Sequence, residues 1–202
     1  MTDGLPTAPA VARNRDAILE VLLPQLKDRN RVLEIGSGTG EHAVYFASKM
    51  PWLFWQTSDR IQNHPGILGW LQEAGLANLG DPLELDVSAV HRLDDAYDAV
   101  FSANTAHIMS FENVARMFAL VGGTLTAGGV FCLYGPFKLE GEFTSESNAA
   151  FDESLRAQDE NMGIRDLEAL DDFGEGAGLL RHSLQPMPAN NFMVTWIRRQ
   201  AD

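Results

Sequence analysis

The chain has a single cysteine, Cys132, so it closes no internal disulfide, and no His/Cys grouping has the spacing of a zinc site. The acids at Asp171, Asp172 and Glu175 lack the spacing of a calcium loop, so no metal is expected. No run of about 18 apolar residues is present to span a bilayer, and no membrane partner is expected. Basic residues are scarce, with 15 Lys and Arg against 28 Asp and Glu, a net charge of −13. They cluster only weakly, at Arg13/Arg15 and Arg198/Arg199. A surface this acidic repels phosphate backbones, which argues against nucleic acid as a partner. The first residues, Met1 to Arg13, show no basic stretch leading into an apolar one, so no signal peptide is expected and the location is read as cytoplasmic. No internal repeat and no long linker divides the 202 residues, which predicts one domain over 1–202.

What is present is an ordinary globular composition, 45% hydrophobic, and a regular alternation of two periodicities. Short β-branched and apolar runs at 31–35, 53–59, 82–87, 97–103 and 130–134 predict strands. Stripes at helical spacing predict helices over about 15–27, with Asn14 as its cap, and over 41–50, 66–77 and 111–125. Strand and helix alternate as far as Tyr134, which predicts a parallel sheet with helices on both faces. Beyond a loop-like stretch at 135–148 come further helices and two closing runs, 179–186 and 191–199. The turn Met187-Pro188-Ala189-Asn190 joins these runs into an antiparallel pair.

The most informative segment is Glu34-Ile35-Gly36-Ser37-Gly38-Thr39-Gly40, between a strand and a helix. Glycines there permit left-handed backbone and close approach of a ligand. Dinucleotides favour G-x-G-x-x-G with a pyrophosphate on the helix N-terminus. Here the spacing is G-x-G-x-G and Glu41 stands at the helix start, an acid that would repel a pyrophosphate. A cationic, phosphate-free ligand suits the turn better, and S-adenosylmethionine carries both a sulfonium and an ammonium. Asp59 ends the second strand, placed to accept the ribose hydroxyls. Asp86 ends the third, placed for the adenine amino group with Val87 beside the ring. Glu34 would lie under the turn near the ammonium.

On these residues the chain resembles the class I S-adenosylmethionine-dependent methyltransferases over essentially its full length. LEIGSGTG is similar to their first motif and LTAGGVF to the turn that opens their fifth strand. More narrowly it resembles the uncharacterised methyltransferase-like 26 family, through APAVARNRDAIL, QTSD, SANTAHI, LYGPFK, TSESNAAFDESLR, MGIRD and MPANNF. Two departures are Ala12, where the family commonly has Glu, and Thr105-Ala106, where a bulkier pair sits; these are expected to alter the substrate pocket and spare the cofactor site. The resemblance implies a Rossmann-like three-layer sandwich. Its sheet would be mostly parallel and seven-stranded, with a terminal antiparallel pair.

The cofactor would be held by Glu34, Gly36, Ser37, Gly38, Asp59, Asp86 and Val87. Asn104 and His107, after the fourth strand, are the catalytic candidates, since His can take a proton from an O- or N-nucleophile near neutral pH. Phe137 and Lys138 leave the fifth strand at the same edge, as wall and anion contact of an acceptor pocket. The resemblance adds Arg13 and Asn14 as substrate contacts and gives the arm, residues 1–13, the part of a lid. The expected activity is methyl transfer to a small-molecule acceptor by a monomer or homodimer. The alternatives are a non-catalytic S-adenosylmethionine-binding protein and a nicotinamide-dependent oxidoreductase on the same sheet.

Overall fold

The two periodicities resolve into layers in the computed structural model, which describes residues 4–90 and 92–200. In chain order the elements are α1 (Pro9–Leu26), β1 (Arg31–Glu34), α2 (Glu41–Lys49), β2 (Phe54–Asp59), α3 (His64–Ala74), β3 (Leu79–Glu84), β4 (Tyr97–Ala103) and α4 (Phe111–Thr124). They continue with β5 (Leu125–Gly135), β6 (Phe137–Leu139), β7 (Glu142–Phe143), α5 (Glu146–Gln158), β8 (Arg165–Asp166), α6 (Leu167–Gly176), β9 (Leu179–Met187) and β10 (Asn191–Arg198). Seven strands form the main sheet in the order β3-β2-β1-β4-β5-β10-β9. The first five are parallel, while β10 runs antiparallel to both β5 and β9. The fold is thus the expected Rossmann-like α/β sheet with its antiparallel closing pair.

Alternation along each strand divides the core. Leu33, Val100, Phe131 and Trp196 face one side, where Phe118 and Leu170 of α4 and α6 cover them. Val32, Trp55, Phe101 and Cys132 face the other, under Leu22 of α1 and Phe46 of α2. Burial pushes the Cys132 thiol up to about 12, so it stays protonated and serves as packing.

The strand order reverses between β1 and β4, and at such a switch point the loops leaving the strand ends diverge and open a crevice. The loop after β1 is the glycine turn, and the loop after β4 begins at Asn104. Both therefore border the same crevice.

Three local readings change. Helix α1 starts at Pro9, a residue suited to the first turn, so Asn14 is inside the helix and is not its cap. Strand β3 lies three residues earlier than its sequence pattern suggested, leaving Asp86 and Val87 in the loop beyond it. Its Pro82 is tolerated because β3 is an edge strand, where a missing N–H breaks no ladder. The stretch at 135–148 contains β6 and β7, which join β8 in a small separate sheet.

Candidate functional site

The glycine turn is shaped by backbone that only glycine adopts cheaply. Gly36 has φ +75°, and a Cβ there would stand 2.6 Å from Cγ2 of Thr105. Gly38 has φ +59° with nothing within 4 Å of a Cβ position, so it faces open space. The N–H groups of Gly36 and Ser37 both donate to the Ser58 carbonyl, which pins the turn to β2. Glu34 is buried below it, accepting from Ser37 Oγ at 2.8 Å and Trp55 Nε1 at 3.1 Å. Burial is the main cause that raises its pKa from the ordinary 4.5 to about 7. Glu34 and Ser37 thus support the turn from beneath, and neither lines the cavity above it.

Above the turn lies a cavity of about 510 Å³ lined by Gly36, Gly38, Asp59, Arg60, Asp86, Val87, Thr105 and Asp159, among others. Asp59 accepts from Gly38 N at 2.7 Å, Arg60 N at 2.7 Å and Asn63 Nδ2 at 2.8 Å. Its position at the C-terminal end of β2 is thereby fixed across the mouth of the turn. Asp86 accepts from the N–H and hydroxyl of Ser88, and these bonds lower its pKa. Three carboxylates against one guanidinium make this wall acidic.

A second cavity, of about 420 Å³, lies on the other side of Asn104, which lines both. Asn104 has φ +59°, the left-handed region that asparagine tolerates better than most residues, and its N–H donates to the Tyr134 carbonyl. The wall is completed by Arg13 and Asn14 from α1, Tyr134 and Pro136 at the end of β5, Asn148 and Phe151 from α5, and the 188–191 turn. His107 belongs to it as well, packed edge-on against Phe151 at 5.2 Å. Burial, followed by the nearby Arg165 charge, lowers the His107 pKa to about 4, so the imidazole is neutral at physiological pH. Behind the wall, Asn14 Oδ1 lies 2.8 Å from Nε2 of His42, which burial likewise holds neutral with a pKa of about 4. Burial raises the Tyr134 hydroxyl's pKa, and the neighbouring Asn14 side chain offsets part of that rise.

Several expected residues stand elsewhere. Phe137 is buried in the core and the aromatic wall is Phe151 instead, because β6 turns its side chain inward against α6. Lys138 sits over the Phe143 ring at 4.1 Å, a cation–π contact across the small sheet, and lines neither cavity. Glu41 does not face a ligand, since it accepts from Ala8 N at 2.6 Å and Thr39 Oγ1 at 2.9 Å. Residues 5 and 6 run along α3, with Trp70 Nε1 donating to the Pro6 carbonyl at 2.8 Å; none of residues 4–13 lines the acidic cavity. Residues 1–3 of the arm lie outside the described residues. Thr105 lines the acidic cavity and Ala106 is buried, so that departure falls on the side expected to be spared.

Arg165 is a brace. Its guanidinium donates to the carbonyls of Ala106, Met109 and Asn161, tying β8 to the loop that carries His107. Sequence reasoning missed Tyr134, Asn148 and Phe151 as wall residues, although all three lie in segments that carry the narrower family resemblance. It also missed Asp159 as an acid of the first cavity, where no local pattern distinguishes it from a surface acid. Among the described residues no group of three or more His, Cys, Asp or Glu is placed to hold a metal, and no helix is long and apolar enough to cross a membrane.

Solved structures with this fold include the S-adenosylmethionine-dependent methyltransferase SibL, at TM-score 0.78 and 19% identity over 95% of this chain and 56% of that one. An O-methyltransferase family protein from Burkholderia thailandensis superposes at 0.81, with 14% identity over 96% and 58%. Human N-acetylserotonin methyltransferase, solved with S-adenosylmethionine, superposes at 0.79, with 14% identity over 95% and 53%. The chain spans little more than half the length of these proteins, and at such identities the likeness is one of fold. Residues 5–198 match the family model described as a protein of unknown function, DUF938, and the chain belongs to that family.

Proposed function

We propose that the protein is an S-adenosylmethionine-dependent methyltransferase acting on a small-molecule acceptor. The observation that carries this reading is the pair of cavities meeting at Asn104, one acidic and bordered by the glycine turn, the other enclosed by helices. The residues present fit the cofactor. Carboxylates can accept from ribose hydroxyls and an adenine amino group without repelling a sulfonium or an ammonium, and the open space over Gly38 leaves room for backbone approach. A pyrophosphate would meet those same carboxylates, and Gly38 N–H, the donor it would need, is already turned to Asp59.

Asp59 would take the ribose hydroxyls, Asp86 and Val87 the adenine, and Gly36 and Gly38 the amino-acid portion. Bound there, S-adenosylmethionine supplies an activated methyl group whose transfer breaks a carbon–sulfur bond and leaves the electron pair on sulfur. The protein's own work is to orient the acceptor and exclude water. Asn104 stands between the two ligands, and the neutral imidazole of His107 is free to take the proton that an O–H or N–H nucleophile releases.

The narrower kinship with the methyltransferase-like 26 family is supported by where its segments fall. APAVARNRDAIL, SANTAHI, LYGPFK, TSESNAAFDESLR and MPANNF together supply every residue lining the second cavity. Calorimetric titration with S-adenosylhomocysteine, with NADH as control, tests the cofactor. Micromolar binding of the first and none of the second is expected, and the reverse result would sink the reading.

A further inference from the structure

The second cavity departs from the rest of the molecule in charge. On a chain with 28 acids and 15 bases, its lining contains no carboxylate and one guanidinium, Arg13. Arg13 is exposed and has no ion-pair or hydrogen-bond partner among the described residues, whereas its helix neighbour Arg15 lies near Asp16 and over the Tyr45 ring.

The same wall has a hydroxyl whose polarity is set from behind. Asn14 Oδ1 can only accept, so His42 Nε2 carries the proton between them, and the amide N–H end of Asn14 is left toward the Tyr134 side chain. Among the described residues none accepts a hydrogen bond from the Tyr134 hydroxyl, so its proton is available to a ligand. Tyr134 is therefore a donor toward the cavity that it lines with Asn14. The rest of the lining is apolar and amide surface with the neutral His107 imidazole against the Phe151 ring.

We propose that this cavity takes a small carboxylic acid with a planar or apolar body. Its carboxylate is held by the Arg13 guanidinium and the Tyr134 hydroxyl, and its nucleophile is presented beside Asn104. The proposal rests on the methyltransferase reading for the purpose of the site, but not for the binding itself. A guanidinium and a phenol hydroxyl donating to one carboxylate form charge-assisted hydrogen bonds, the strong kind. The anion and the cationic cofactor would also occupy adjoining chambers of complementary charge.

The probe is 4-hydroxybenzoate, compared with its neutral amide, 4-hydroxybenzamide, by calorimetric titration of the full chain with and without saturating S-adenosylhomocysteine. The acid should bind roughly tenfold more tightly than the amide. Arg13→Gln should erase that preference and Tyr134→Phe should reduce it several-fold. Arg15→Gln, which removes an equal charge outside the cavity, should leave it in place. Equal affinities for acid and amide, no binding of the acid in the millimolar range, or equal losses in both arginine variants would each overturn the proposal. Loss of S-adenosylhomocysteine binding with the acid preference intact would overturn the cofactor assignment alone.

Discussion

The cavity above the glycine turn is made by loops at strand ends, with backbone N–H groups and three carboxylates for walls. The cavity beyond Asn104 is made largely by side chains of α1 and α5, with neutral amides, an imidazole, a phenol and one guanidinium. The first takes its form from the sheet's switch point, a property of topology. The second depends on which side chains five distant segments bring together. A scaffold can hold the first constant while the second changes, because the two share little more than Asn104 and the loop behind it. On the proposed reading, cofactor choice would follow from the sheet's switch point and acceptor choice from the side chains around the second cavity.

The sharpest break in that comparison comes from Gly36→Ala. The left-handed backbone and the 2.6 Å approach to Thr105 should together cost on the order of 4 kcal/mol, abolishing S-adenosylhomocysteine binding in calorimetry. If the cavities are independently built, 4-hydroxybenzoate should still bind the folded fraction within about twofold.

Next come opposite responses to pH. Glu34, under the first cavity, has a folded pKa of about 7 against an ordinary 4.5. Its contribution is full below about 4.5 and is lost as pH rises toward 7, roughly 3 kcal/mol in all. His107, in the second wall, has a folded pKa of about 4 against 6.5. Its contribution is present above 6.5 and is lost as pH falls toward 4, by a similar roughly 3 kcal/mol. Urea unfolding across pH 4 to 8 should therefore lose its alkaline slope in Glu34→Gln and part of its acid slope in His107→Asn. Parallel pH curves for wild type and both variants would show that neither group titrates as described.

Asp59→Ala should weaken S-adenosylhomocysteine by about 1–3 kcal/mol, roughly fivefold to 150-fold, with carboxylate binding unchanged. The smallest effect is expected from Gly38→Ala. Its Cβ meets nothing within 4 Å, so only the left-handed backbone penalty of about 1 kcal/mol remains, read as a small fall in Tm. A loss of S-adenosylhomocysteine affinity beyond that small fall in Tm would mark the space over Gly38 as occupied by the ligand, as the proposed reading has it.

The first cavity was the more legible of the two in the sequence. G-x-G-x-G between strand and helix, with acids at the next strand ends, marks Gly36, Gly38, Asp59 and Asp86 wherever the strands begin. An error of three residues in β3 still leaves these four beside one cavity, because the loop, not the strand, carries the acid. Glu41 pointed to a cationic ligand for a reason the structure does not support, since its carboxylate secures the start of α1. The second cavity was legible only in part. Pro9 at a first-turn position was a signal for the earlier start of α1, and would have shown Asn14 to be mid-helix. Phe137 and Phe151 could not be told apart, because alternation in a three-residue strand and one face of a weakly amphipathic helix leave the direction of a ring undetermined until β6, α5 and α6 are packed.

Asn104, as the residue common to both chambers, also makes them thermodynamically answerable to one another. Whatever factor S-adenosylhomocysteine imposes on carboxylate affinity, the carboxylate must impose the same factor on S-adenosylhomocysteine. The equality is obligatory, so its size is the information. A factor near one would describe a rigid partition, with ligands entering in either order. A large factor would describe a partition that rearranges, and would make the order of substrate addition a property of one left-handed asparagine.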